Sequence, residues 1–275
     1  MEKRQGLLSV ITLLFILLTA CNESSSAGDA PEEKEIVFGA TVPYTEMLEW
    51  AVKPSLEEKG YDVTVMEFSD YVQPNNALDE GSLDANLFQH EVYLTAFSEE
   101  ANLDLSLVIP VPTAPIGIYS NKYESLTDIE DGSSVGIAND PTNLSRGLTV
   151  LRDAGLIEIS DDADPIRAST ADITDNPKNL QFHEIEAGQL PRSLESLDLA
   201  AVNGNFAIAA GMDLTKALAL DNLPPEIQNQ VVVNTEDLDE QFVNDIKEVI
   251  RSGEFEKVID NDFQGFKKPG WMAEE

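Results

Sequence analysis

The sequence predicts an α/β protein of two lobes, each a mixed, mostly parallel sheet flanked by helices, with a cleft between them. Three observations carry this expectation. Short runs of β-branched and aromatic residues alternate with stretches of helical period. The alternation breaks at Pro110, Pro112 and Pro115 and then starts again. A length of 275 residues with 42% hydrophobic content suits one large or two smaller globular cores.

Taken in order, Ile36-Val37-Phe38-Gly39-Ala40 is a compact apolar run suited to a buried strand. Residues 45–59 carry Leu48, Ala51, Val52 and Leu56 at helical spacing, and Gly60 stops them. Residues 61–68 are rich in β-branched and aromatic side chains and read as a second strand. Pro74 suits the first turn of a short helix that Gly81 ends. Residues 84–88 read as strand, 90–100 as helix and 105–111 as strand, a βαβαβαβ order that favours a largely parallel sheet. After the prolines, Ile116-Gly117-Ile118-Tyr119-Ser120 reads as an extended crossing between lobes. The second series has a strand at 135–138, a helix at 142–154, a strand near 180–185, a helix near 190–197 and a strand at 199–202. Val231-Val232-Val233 offers a return strand, and residues 236–258 offer two closing helices.

The amino terminus stands outside this pattern. Lys3 and Arg4 precede an apolar stretch, residues 7–18, that is too short for a comfortable bilayer span, and small residues follow, as in an export signal. The only Cys in the chain, Cys21, ends Leu18-Thr19-Ala20-Cys21, which resembles a bacterial lipobox and implies cleavage before Cys21 and lipidation on it. Residues 22–35 lack large apolar side chains and read as a solvated tether. The expected organisation is a leader at 1–20, a tether at 21–35, lobe 1 at 36–115, lobe 2 at 116–231 and a C-terminal part of lobe 1 at 232–275. Two α/β lobes on a lipid tether have the architecture of a periplasmic-type solute-binding protein, although an exported α/β enzyme is similar at this level.

Charge and motifs narrow the function. With 17 Lys+Arg against 51 Asp+Glu, the net charge of −34 opposes binding to nucleic acid or anionic lipid. Because the acids are spread along the chain, they suggest a surface adapted to salty or alkaline surroundings. One Cys and two well-separated His, His90 and His183, give no metal-ligand spacing, so no metal or cofactor is expected. No Gly-x-Ser-x-Gly elbow, His-Glu-x-x-His pair, Walker loop or Gly-x-Gly-x-x-Gly turn occurs, so an enzyme is not expected.

Asn139-Asp140-Pro141-Thr142-Asn143-Leu144-Ser145-Arg146 lies between a buried-type strand and a helix, where α/β folds place ligands. Free N–H groups at the helix start, with Arg146 one turn in, would suit a carboxylate. The same residues also fit an ordinary N-cap at Thr142 or Asn143 and a surface ion pair at Arg146. Tyr71, Phe88, His90 and Tyr93 follow or span strand ends of the first lobe and either wall a ligand or fill core. Asn203 and Asn229 border apolar runs and suit either a ligand's polar groups or a turn.

The blocks Phe68-Ser69-Asp70-Tyr71-Val72-Gln73-Pro74-Asn75, Asp84-Ala85-Asn86-Leu87-Phe88-Gln89-His90, Gly117-Ile118-Tyr119-Ser120, Asn139-Asp140-Pro141-Thr142-Asn143, Asp175-Asn176-Pro177-Lys178-Asn179-Leu180 and Gln189-Leu190-Pro191-Arg192 together resemble the methionine-binding lipoproteins of methionine ABC importers, the MetQ/NlpA family. The resemblance implies a two-lobed, non-enzymatic receptor that closes over methionine or a related small amino acid and passes it to an ABC permease and its ATPase. It implies that Arg146 holds the ligand carboxylate, that Asn143, Asn203 and Asn229 bond its carboxylate and ammonium, and that Tyr71, Phe88, His90 and Tyr93 wall the side chain. The chain departs from the family where members commonly show Gly-Pro-His, here Val42-Pro43-Tyr44, and where Asn-Thr-x-Tyr is replaced by Asn203-Gly204-Asn205-Phe206. The usual Pro-Tyr-Val-Asn reads Glu226-Ile227-Gln228-Asn229. Three rivals are a methionine-containing dipeptide or another small amino acid as ligand, an adhesive surface lipoprotein, and an exported hydrolase.

Overall fold

The computed structural model describes residues 34–273. Cys21, the leader and nearly all of the expected tether lie outside the described residues. Strand β1 (Lys34–Ala40) is followed by helix α1 (Tyr44–Met47), a π-helical segment (Leu48–Val52) and helix α2 (Lys53–Glu58). Gly60, at φ +92°, ends this helical stretch in a left-handed conformation that costs little without a Cβ. Strand β2 (Tyr61–Glu67), helix α3 (Gln73–Asp79), strand β3 (Ala85–His90), helix α4 (Glu91–Ala101) and strand β4 (Leu105–Pro110) complete the first series.

The first crossing runs through residues 111–116 and ends in strand β5 (Gly117–Tyr119). The segment expected to be an extended crossing at 116–120 is therefore mostly strand. Ile118 pairs with Ala201 on one side and Ala219 on the other, which buries it fully. Strand β6 (Ser134–Ala138), helix α5 (Pro141–Asp153), a small hairpin of β7 (Glu158–Ile159) and β8 (Ile173–Asp175), and strand β9 (Gln181–Ile185) follow. Helix α6 (Leu190–Ser193) is a single turn, shorter than the helix expected near 190–197. Strand β10 (Leu199–Val202), helix α7 (Gly204–Ala209) and strand β11 (Ala219–Leu220) close the second lobe. Strand β12 (Asn229–Asn234) then precedes helices α8 (Gln241–Ile250), α9 (Gly253–Asp262) and α10 (Gly270–Ala273).

Two five-stranded sheets result, ordered β2-β1-β3-β12-β4 and β11-β5-β10-β6-β9. In the first, β1 runs parallel to β2 and β3, while β12 returns antiparallel between β3 and β4. In the second, β6 is parallel to β9 and β10, and β5 is antiparallel to β10 and β11. The strand ends that face the cleft are thus the C-terminal ends of β1, β3, β6 and β10, the usual ligand end of an open α/β sheet.

Each sheet has its own core. Phe38, Leu48, Leu87, Val231, Val243, Ile246 and Phe255 pack around the first. Ile118, Val135, Ile137, Leu144, Leu148, Leu151 and Leu199 pack around the second, where α5 lays its apolar stripe on β6. The C-terminal helices are fixed to the first sheet by Asp245 of α8, which accepts from the Tyr61 hydroxyl at 2.6 Å and pairs with Lys59 at 3.1 Å. The first crossing is held to the C-terminal segment by paired bonds, Thr113 N to Lys267 O at 3.1 Å and Lys267 N to Thr113 O at 2.9 Å. No described helix is long and apolar enough to cross a membrane.

Candidate functional site

Between the two sheets lies a cavity of about 20 Å³, lined by Tyr44, Tyr71, Phe88, His90, Tyr93, Asn143, Arg146, Asn203, Asn205 and Asn229, with Gln89, Thr113, Ala114 and Gly204 completing the wall. All eight ligand-site residues expected from sequence line it. Tyr44, Thr113 and Asn205 are additions that the structure makes.

The aromatic side is built by lobe 1. Phe88 lies in β3, Tyr71 sits on the loop after β2, and Tyr93 lies in the first turn of α4. Tyr71 stacks on Phe88 at 5.7 Å between centroids and meets Phe206 of α7 at 4.9 Å. Tyr93 meets Tyr71 and Phe88 edge-on at 5.8 and 6.0 Å. Below this cluster Asn75, Asn86 and Gln89 satisfy one another's amides, including Gln89 Nε2 to Asn75 Oδ1 at 2.6 Å and Asn86 Nδ2 to Asn75 Oδ1 at 3.0 Å. This buried network ties the start of α3 to β3, so two sequence blocks far from the polar anchors serve to position the rings.

His90 caps α4: its Nδ1 accepts from Tyr93 N at 3.1 Å. That bond fixes the neutral tautomer with hydrogen on Nε2, and Nε2 is buried without a partner. Burial, reinforced by the nearby Arg146 charge, lowers the His90 pKa from 6.5 to about 3, so the ring is neutral near pH 7. Tyr44 is pushed up to about 12 by burial, and Tyr71 and Tyr93 are raised for the same reason, so all three phenols stay protonated.

The polar side is built mainly by lobe 2. On sequence, free N–H groups at the start of α5 are expected to receive a carboxylate, with Thr142 or Asn143 as N-cap. The structure corrects both points. Asp140 is the N-cap, and its own carboxylate accepts from Asn143 N at 2.9 Å and from the Thr142 hydroxyl at 3.0 Å. Proline at N1 leaves few other donors there.

From Asp140 a chain of amides runs toward the cavity. A carboxylate only accepts, so Asn143 must turn Nδ2 toward it, at 3.1 Å to both oxygens. Asn143 Oδ1 then faces away and accepts from Asn203 Nδ2 at 2.8 Å. Asn203 is left with Oδ1 buried and unpartnered. It occupies the N-cap position of α7 but makes no side-chain cap bond there, so its Oδ1 is free for the cleft.

Arg146 is largely buried and already paired. Its Nε donates to Asp221 Oδ2 at 2.6 Å, and Nη2 stands 2.6 Å from the same oxygen without a well-angled hydrogen bond. Asp221, on the second crossing, is fixed in turn by Ile116, whose N–H donates to its Oδ1 at 2.9 Å. No local pattern marks Asp221, which is 75 residues from Arg146. Asn229, at the start of β12, donates its side-chain Nδ2 to Phe88 O at 2.9 Å, and its backbone N–H donates to the Thr113 hydroxyl at 2.8 Å. It braces the rim where both crossings meet the first sheet.

Two lobes joined by two crossings, with buried polar groups of both signs and an aromatic wall turned into one cavity, are the design of a solute-binding protein. The sequence matches the NlpA lipoprotein family over residues 36–271, and the chain belongs to that family. A relative from Escherichia coli K12, the D-methionine-binding lipoprotein MetQ, is 35% identical over 239 residues, covering 86% of this chain and 87% of that one. The structure of a nutrient binding protein from Burkholderia cenocepacia bound to methionine superposes with a TM-score of 0.80 at 37% identity, over 84% of this chain and 97% of that one. A periplasmic substrate-binding protein of an ABC transporter from Coxiella burnetii gives a TM-score of 0.79 at 33% identity, over 85% and 99%.

Proposed function

We propose that this chain is an extracytoplasmic receptor for methionine or a closely related small amino acid, delivering it to an ABC permease driven by its ATPase. One observation carries the reading: three buried polar atoms of the cavity wall lack hydrogen-bond partners, and they are two donors and one acceptor. Arg146 Nη2 and His90 Nε2 suit a carboxylate, and Asn203 Oδ1 suits an ammonium. An α-amino acid satisfies all three, and the rings of Tyr71, Phe88, His90 and Tyr93 then receive an apolar or thioether side chain. Asn143 acts by orienting Asn203, and Asn229 by holding the rim. Entry of any ligand requires the lobes to part and the rings to reseat. Relatives named for methionine binding support the same ligand.

Deleting charges from the ligand tests this without disturbing the fold. In calorimetry methionine binds, while its decarboxylated and deaminated analogues each bind about 30-fold more weakly or worse, as expected for losing one partner of a buried charge-assisted contact. If both analogues bind as well as methionine, or if methionine is silent while Gly-Met or glutamine binds, the assignment is wrong. The receptor is further proposed to be held to the membrane by lipid on Cys21. The Cys21→Ser chain should leave the membrane fraction or accumulate as precursor, and unchanged fractionation with normal processing would refute the anchor.

A further inference from the structure

Asn205 lies outside the polar anchors yet forms the most direct side-chain link between the lobes. It sits in the first turn of α7, carried by lobe 2, and it is buried. Its Oδ1 stands 2.6 Å from the Tyr71 hydroxyl, and its Nδ2 stands 3.2 Å from the Thr41 hydroxyl, both on lobe 1. The shorter distance fits O–H···O and the longer N–H···O, which fixes the amide orientation with Tyr71 donating. Gly204 lets this turn come so close, since a Cβ there would overlap the Pro115 carbonyl and Ala114.

The other phenol of the aromatic wall is engaged as well, because Tyr93 donates its hydroxyl to Tyr71 O at 2.9 Å. A phenol proton can be given to one acceptor at a time. With both protons given to protein atoms, neither Tyr71 nor Tyr93 has a hydroxyl donor to spare for a ligand side chain. We propose that Asn205 is a specificity-determining residue: by taking the Tyr71 hydroxyl proton from the opposite lobe, it keeps the side-chain slot apolar and so excludes side chains that bear a hydrogen-bond acceptor. The inference rests on the amino-acid-binding reading above. It adds that selectivity is set by a residue that need not touch the ligand's amino or carboxylate groups, and that it is enforced only when the lobes close.

The test compares methionine with methionine sulfoxide, which adds one acceptor oxygen and no donor. Calorimetry on the full chain in detergent would use the wild type, Asn205→Ala, Tyr71→Phe and the double variant. In wild type the sulfoxide binds more weakly than methionine. In Asn205→Ala the freed Tyr71 hydroxyl serves the sulfoxide, and the ratio of the two Kd values narrows about 3- to 10-fold, the worth of one hydrogen bond. Removing that hydroxyl in the double variant restores the wild-type ratio. A purely structural role for Asn205 would weaken both ligands alike and would not be reversed by Tyr71→Phe. Asn205→Leu, which fills the space without an acceptor, replaces Asn205→Ala if the latter fails to melt cooperatively. An unchanged ratio in the Asn205 variant, or a relaxed ratio that persists in the double variant, overturns the inference while leaving methionine binding intact. Failure of wild type to bind methionine defeats the functional reading and this inference together.

Discussion

His90 shows how one side chain serves fold and site together. Its Nδ1 caps α4 and its Nε2–H faces the cavity, and both duties need the neutral ring. Its pKa of about 3 in the folded state, against 6.5 in the unfolded chain, has a defined consequence. Between those values the unfolded chain binds the extra proton, so this contribution to stability is complete above pH 6.5 and lost as pH falls toward 3. We expect wild type to lose about 1.4 kcal/mol per pH unit from this group across roughly pH 6 to 4.5. His90→Asn keeps a cap acceptor but cannot titrate, and its unfolding free energy should lack that slope. Urea melts at about pH 7, 6, 5 and 4.5 decide it, and equal slopes in the two proteins would refute the assignment. The cavity-lining residues were legible because they sit at strand ends and helix starts. What they bond to was not: Asp221 and Asn205 act across 75 and 134 residues of sequence, and nothing local marks either one.

At the level of elements, period predicted what packing later used. Leu48, Ala51, Val52 and Leu56 give residues 45–59 their helical spacing, and the same side chains are buried in the first core. The β7–β8 hairpin and α7 were not legible. The first is two or three residues per strand in an acid-rich stretch without alternation, and the second starts with Gly204-Asn205, poor helix formers, of which Gly204 lies against the first crossing and Asn205 bonds to lobe 1. The start of α5 was half legible: Asp140 was in view, yet its carboxylate serves the helix rather than leaving donors free for a ligand. Its second duty, orienting the Asn143–Asn203 amides, gives a clean test. Asp140→Asn remains a good N-cap, so the melting point should change little. An amide at position 140 can also donate, however, and the orientation of Asn143 and Asn203 is then no longer dictated. Methionine affinity should fall by roughly 1 kcal/mol, about fivefold, as measured by calorimetry. Equal affinity with equal stability would show that Asn203 is oriented by something else.

For the whole molecule, self-repulsion is the largest electrostatic effect outside the core. With 51 acidic groups against 17 basic ones, carboxylates outnumber the groups that could pair with them threefold. The pairs that do form are mostly at the surface, such as Lys122 with Glu130 and Asp198 or Lys268 with Glu256 and Asp260, where each is worth little. Salt weakens these few attractions and the far more numerous repulsions at once, and the Debye length shrinks from about 30 Å at 0.01 M to about 3 Å at 1 M. Repulsion therefore loses more, and the folded state gains. Raising NaCl from about 10 mM to about 0.5 M should stabilise the protein by at least about 1 kcal/mol, a rise in Tm of roughly 2–4 °C for a chain of this size. The ligand site should respond differently. Methionine is a zwitterion without net charge, and the Arg146–Asp221 pair beside it is buried and poorly screened, so its Kd should stay within about twofold over the same range. Melting and calorimetry in parallel separate the two effects. A Tm that falls with salt would mean that the surface pairs, few as they are, outweigh the repulsion. A Kd that weakens steeply would place the charged end of the ligand in solvent rather than against Arg146.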